Sequence, residues 1–332
     1  MRKPLLILFA LISTSFFQVF AQADPKTYVT EALDIMKARS VNKNKVDWES
    51  LYASALAKTD TASNIRSTYP IIADALKQLQ DHHSGFYPPE MIEAYKQGYR
   101  ALGMKFPTPE FKMLDNKYAY IQIPSFAVIN LDEQREYAAS IQSAIRQLDK
   151  QKPKGWILDL RQNDGGMSIP MSAGIGPFVE REKCVGWRDA DGNNTYWIYE
   201  KGQVFQNSKL AFAMGTTPYK LKSKKKPVSV LIGNKTSSAG EVIATAFVGR
   251  LNTKLIGTNT QGLTSSNSEH ELSDGAYLVL TEGNYIDRNS KAYDKPGEGI
   301  APDIRLENLP KDKSEKDRLY MEKAKAFIDK GK

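Results

Sequence analysis

Cysteine and histidine are scarce in this 332-residue chain, which has one cysteine, Cys184, and three histidines. A single thiol excludes an internal disulfide, and no motif flanks it, so Cys184 is expected to be buried and inert. With no HExxH and no paired cysteines, no metal-ligand set is recognisable and no metal or organic cofactor is expected. Neither GxGxxG nor GxxxxGK[ST] occurs, which removes the usual cradles for dinucleotides and nucleoside triphosphates. Beyond residue 20 no apolar run is long enough to span a membrane. Basic residues outnumber acidic ones (46 Lys+Arg against 38 Asp+Glu, net +8), yet they are scattered, apart from KLKSKKK at 220–226. No stacking aromatics interleave with that run, so it reads as a solvated loop, and nucleic acid is not an expected partner.

What is present begins at the N-terminus. Residues 1–3 are basic, 4–20 are apolar, and Ala21-Gln22-Ala23 is a small-x-small site before Asp24. That order predicts a secretory signal peptide over 1–23, hence an exported protein, periplasmic or secreted, with no stable membrane insertion after cleavage. No cysteine stands at the end of the apolar run, so a lipoprotein anchor is not expected.

From Asp24 to about Gln80 the apolar spacing is helical: Val29, Leu33 and Met36 share a face, then Leu51, Ala55 and Leu56, then Ile72, Ala75, Leu76 and Leu79. Asp24 and Asp47 stand where N-caps belong. After Pro107 the pattern changes. Residues 118–123 (YAYIQI), 156–160 (WILDL) and 228–232 (VSVLI) read as buried strands, 133–148 as an amphipathic helix, and 170–179 and 241–249 as helices. The turn RDADGNN at 188–194 predicts a hairpin over 184–201, and 255–256 and 277–280 are further short strands. Ser314-Glu315-Lys316-Asp317 resembles a capping box opening a final helix. Alternating strands and helices indicate an α/β core. The expected division is a leader at 1–23, a helical domain and connector at 24–105, the α/β core at 106–310, and a C-terminal helix at 311–332.

Three stretches could carry chemistry. Asp81-His82-His83-Ser84 places two of the three histidines in one polar turn, where a helix-capping role is an equally good reading. Asp159-Leu160-Arg161-Gln162-Asn163-Asp164-Gly165-Gly166 runs from a buried strand into two glycines, whose backbone N–H groups face a ligand without a Cβ in the way. Thr236-Ser237-Ser238-Ala239-Gly240-Glu241 joins a strand to a helix. A serine there meets the positive end of the helix dipole, which favours an acyl-transfer nucleophile, but serine is also a preferred N-cap. The GxSxG elbow is not matched.

Together these stretches resemble the tail-specific, C-terminal processing peptidases (peptidase family S41), relatives of the tricorn core and of retinoid-binding modules. The family's D-L-R-x-N-x-G-G loop is matched at 159–166, its serine-rich S-A-S-A-S-E segment by TSSAGE with Ser238 in the nucleophile slot, and its G-x-x-P-D element by Gly299–Asp303. The resemblance spans residues 71–303. It implies an α/β fold with a ββα-type core of the crotonase/ClpP kind and a small N-terminal helical domain. It also implies a serine peptidase with polypeptide substrates, Ser238 as nucleophile, and the N–H groups of Gly166 and Ala239 as oxyanion hole. The dyad lysine, twenty-five positions after the serine in relatives, is replaced by Leu263, and Lys254 lies too close to the nucleophile helix to substitute. The chain instead fits the branch with a D-x-H-S/T histidine, making His83 the expected general base. The glutamate slot of that branch holds Pro296; Glu298 and Asn267 are the candidate orienting residues. Residues 88–111 are too few for the PDZ module of many relatives. Two alternatives remain: an apolar-ligand or peptide-binding protein on the same fold, and a small-substrate esterase or amidase. Oligomeric state and natural substrate are not readable.

Overall fold

The computed structural model describes residues 24–330; the leader expected at 1–23 lies outside the described residues. Three helices open the chain, α1 (Pro25–Arg39), α2 (Trp48–Thr59) and α3 (Tyr69–Lys77). Both expected caps form. The Asp24 carboxylate accepts from Lys26 N–H at 3.0 Å, and Asp47 accepts from Ser50 N–H at 3.2 Å. Each satisfies a donor with no partner inside its helix. Val29, Leu33 and Met36 pack with Ala55, Ile72 and Leu76, but Leu272, Ala276, Leu278 and Leu280 complete that core from far downstream.

The chain continues through β1 (Gly85–Tyr87), α4 (Pro89–Gln97), the hairpin β2 (Glu110–Leu114) and β3 (Tyr118–Gln122), and α5 (Leu131–Lys150). Next come β4 (Gly155–Asp159), α6 (Ser168–Val179) and the meander β5 (Val185–Asp189), β6 (Asn194–Glu200), β7 (Gln203–Gln206) and β8 (Lys209–Ala213). β9 (Val228–Ile232), α7 (Ala239–Phe247), β10 (Thr253–Gly257), β11 (Ser265–Glu271), β12 (Tyr277–Asp287), β13 (Ile304–Arg305) and α8 (Lys313–Lys330) follow.

Two sheets result. The first runs β13-β10-β9-β4-β3-β2 and is parallel from β13 to β3. β4 and β9 are buried along their whole length. One face packs under α5, α6 and α7 and the other under α8, through Ile157, Leu231, Ala324 and Ile328. Coverage on both faces is what a continuous apolar run such as VSVLI requires. The loops after β4 and β9 leave the carboxyl edge side by side. The second sheet runs β1-β12-β5-β6-β7-β8, with β11 on the far side of β12.

The hairpin expected over 184–201 is the first half of a four-strand meander. β1, β11 and α4 were not indicated by local pattern, and residues 88–111 fold as α4 and a connector. The final helix is capped by Asp312, which accepts from Glu315 N–H at 2.9 Å, two residues ahead of the expected box at Ser314.

Candidate active site

The turn between β9 and α7 is held from three sides. Thr236 hydroxyl donates to Leu160 C=O at 2.9 Å, Ser237 N–H to Asn163 C=O at 3.0 Å, and Gln261 N–H to Thr236 C=O at 2.9 Å. Ser238 stands at φ 47°, ψ −114°, a strained conformation for a residue with a Cβ. Behind it the wholly buried Glu241 carboxylate accepts from Ser238 N–H at 2.9 Å, Gly262 N–H at 2.8 Å and Thr260 hydroxyl at 2.5 Å. Burial holds this carboxyl above its ordinary value, against a smaller downward pull from its hydrogen bonds. Glu241→Ala would strand three buried donors, so it is expected to cost about 3 kcal/mol, at 1 kcal/mol or more per unsatisfied group. A urea midpoint shift at unchanged slope is the measurement.

In the loop after β4, Asp159 is committed to structure. It accepts from Arg161 at 2.7 Å and Tyr120 at 2.8 Å, while Arg161 reaches Asp317 of α8 at 2.6 Å. Asn163 donates to Ile123 C=O at 3.1 Å and accepts from Gly165 N–H at 3.1 Å. Gly166 stands at φ 103°, and a Cβ there would lie 2.0 Å from Phe126 O. Its bridge to Phe126 uses the Gly165 carbonyl and the Met167 N–H, leaving the Gly166 N–H off that ladder. The Ala239 N–H, at the first position of α7, has no carbonyl one turn earlier in its helix.

The histidine arrives from the other sheet. Asp81 accepts from the N–H groups of His83 (2.9 Å) and Ser84 (2.8 Å), an Asx turn, and Ser84 Oγ accepts from Thr281 N–H at 2.9 Å. His82 is exposed, at φ 59°. His83 Nε2 lies 3.2 Å from Ser238 Oγ, and its Nδ1 lies 2.7 Å from Ser265 Oγ. Burial holds the His83 imidazole below its ordinary value, against a smaller upward pull from the Asp81 carboxylate.

Of the expected orienting residues, Asn267 meets His83 at the backbone: its amide donates to His83 C=O at 3.1 Å and accepts from Thr281 hydroxyl at 3.0 Å. Glu298 is not brought to the site. Its side chain is 60% exposed, 3.5 Å from Lys295. Lys254 faces Asp303 at 3.4 Å, and burial pushes the Cys184 thiol up to about 12. Among the described residues no group of three His, Cys, Asp or Glu could hold a metal ion. Ser265, which no motif marks, is the contact that sequence reasoning missed.

Ser238, His83, Gly166 and Ala239 open onto one cavity of about 590 Å³, walled by Trp187, Trp197, Tyr95 and Ile169, with residues 265–269 of β11 along one side.

This fold is that of a serine-type peptidase. The chain belongs to peptidase family S41, whose domain matches residues 117–306. It is 29% identical over 288 residues to the nisin-resistance protein of Lactococcus lactis subsp. lactis, covering 86% of this chain and 84% of that protein. It spans only about a third of the length of the carboxy-terminal processing proteases it also matches. Its fold is that of a Streptococcus agalactiae lipoprotein structure (TM-score 0.76, 22% identity, 98% and 99% of the two chains). It is likewise that of the photosystem II D1 C-terminal processing protease (TM-score 0.61, 18% identity, 90% and 97%).

Proposed function

We propose that this is an exported peptidase in which Ser238 is the nucleophile and His83 the general base. Ser238 Oγ attacks the scissile carbonyl carbon as its proton passes to His83 Nε2. The N–H groups of Gly166 and Ala239 hold the oxyanion. As the C–N bond breaks, His83 returns the proton to the leaving amine, and water then hydrolyses the acyl-enzyme by the same route. The observation that carries this reading is the 3.2 Å separation of Ser238 Oγ and His83 Nε2, within general-base reach. It weighs against a purely ligand-binding role, for which a separation beyond ~6 Å would be expected.

β11 favours polypeptides over small esters. Among the described residues it pairs with β12 alone, and its residues 265–269 run along the cleft, so an extended chain can add to its open edge. Export rests on the leader at 1–23, and no described helix is long and apolar enough to cross a membrane. The division at residues 24, 106 and 311 stands as part of the same proposal. A proteome-derived peptide digest comparing the parent with Ser238→Ala tests the reading; identical cleavage products from both would end it.

The pH dependence follows from His83. Only the neutral ring accepts a proton, and its affinity for protons is lowered in the fold. The acidic limb of kcat/KM is therefore expected to bend below about pH 6.5, the ordinary histidine value. The unfolded ring binds protons more tightly than the folded one. Acidification through that value therefore also reduces stability. A midpoint above 6.5 in peptide hydrolysis contradicts this assignment of the base.

A further inference from the structure

We infer that Ser265 is the positioning residue for His83, with a hydroxyl doing the work that a carboxylate does in Ser-His-Asp sites. The inference rests on the reading of His83 as base. A neutral imidazole carries one N–H. If that proton sits on Nε2, the ring has no lone pair for Ser238 and the site is idle. If it sits on Nδ1, the ring donates to Ser265 Oγ and presents Nε2 to the Ser238 hydroxyl. The Nδ1 contact is the shorter of the two, 2.7 Å against 3.2 Å, so the ring is anchored on its Ser265 side.

The strand explains why Ser265 is there. β11 pairs with β12, Ser265 opposite Asn284 and Asn267 opposite Thr281; the register shift between Ser266 and Asn267 falls on the β12 side at Glu282, so residues two apart on β11 still share a face. Ser265 and Asn267 accordingly both meet His83, one at the ring and one at the backbone carbonyl. To accept from Nδ1–H, the Ser265 hydroxyl must direct its own proton elsewhere. Ser265 also lines a second cavity, of about 420 Å³, together with Gln80, Asp81, Thr264 and Asn284. That space is lined by polar side chains, Asp81 and Asn284 among them. When His83 takes the serine proton, both ring N–H groups need acceptors, and Ser265 Oγ remains in place for one of them. The demand is greatest in the transition state, so loss should fall on kcat rather than KM.

The test uses the full mature chain with Ser265→Ala, Ser265→Thr and Ser265→Asp, each alone and with His83→Ala, all checked for parental urea midpoints. Ser265→Ala is expected to lower kcat by ~10- to ~100-fold with KM within about twofold, less than the ~10⁴-fold of a triad aspartate. Ser265→Thr, which keeps the hydroxyl, is expected to restore most of it. Ser265→Asp is expected to remain active with its acidic limb moved to higher pH. The new carboxylate would add to Asp81 on the ring's own turn and to Asp164 and Glu269, which line the same cavity. In the His83→Ala background, Ser265→Ala is expected to cost nothing further, because its effect runs through the ring. Equal costs in both backgrounds, or a kcat within twofold of the parent, overturn the inference while leaving His83 as base. If His83→Ala itself leaves kcat unchanged, the parent reading falls and this one with it.

Discussion

Ser238→Ala is expected to lower kcat/KM for peptide hydrolysis by at least ~10⁴-fold and to abolish labelling by a serine-directed phosphonate, with the urea midpoint unchanged. The size follows from the mechanism. Without Oγ no acyl-enzyme forms, and what remains is the oxyanion hole acting on water, with no covalent route. Stability should hold because the groups that shape the turn are elsewhere. Glu241 grips the Ser238 backbone N–H, and Asn163 grips Ser237. Alanine keeps the Cβ and so keeps the positive φ, neither relieving nor adding strain. Near-parental hydrolysis by a folded Ser238→Ala protein would falsify the assignment of the nucleophile.

The second large effect separates two adjacent histidines. His83→Ala is expected to cost ~10²- to 10⁴-fold in kcat/KM, the range for loss of a general base. His82→Ala should stay within about threefold of the parent, a near-neutral exposed substitution. The chemistry of the two side chains is the same; their surroundings are not. The Asp81 carboxylate turns the chain so that His82 faces solvent at positive φ, while His83 lies between Ser238 and Ser265. Steady-state kinetics on one peptide substrate decides between them, and a reversed pattern exchanges their roles.

These residues also mark how far local pattern reaches. VSVLI and WILDL announced themselves because a strand covered on both faces must be apolar throughout. DLRQNDGG was recognisable because backbone geometry there tolerates only glycine at Gly166, which a Cβ would drive into Phe126. β11 was invisible: its seven residues, SSNSEHE, contain no β-branched or apolar side chain, and their extended form comes from pairing with β12. β1 is a three-residue strand recruited to the same β12. Ser265 could not be found by spacing, since it meets His83 across 182 positions of chain. Glu298 shows the opposite limit. Proximity in sequence to an expected slot says nothing of direction, and its carboxylate turns to Lys295 at the surface.

The loops proposed to carry the nucleophile and the oxyanion hole leave neighbouring strands of one sheet, whereas His83 and its contact Ser265 belong to the other. Reactivity is thus a property of the seam between them. A slip by ~1 Å of the helical unit with β11 and β12 would be enough to cost ~10² in rate. Warming should therefore silence the enzyme before it melts. On the same frame, evolution could retire the chemistry by loosening one joint and still keep a cleft that grips a peptide.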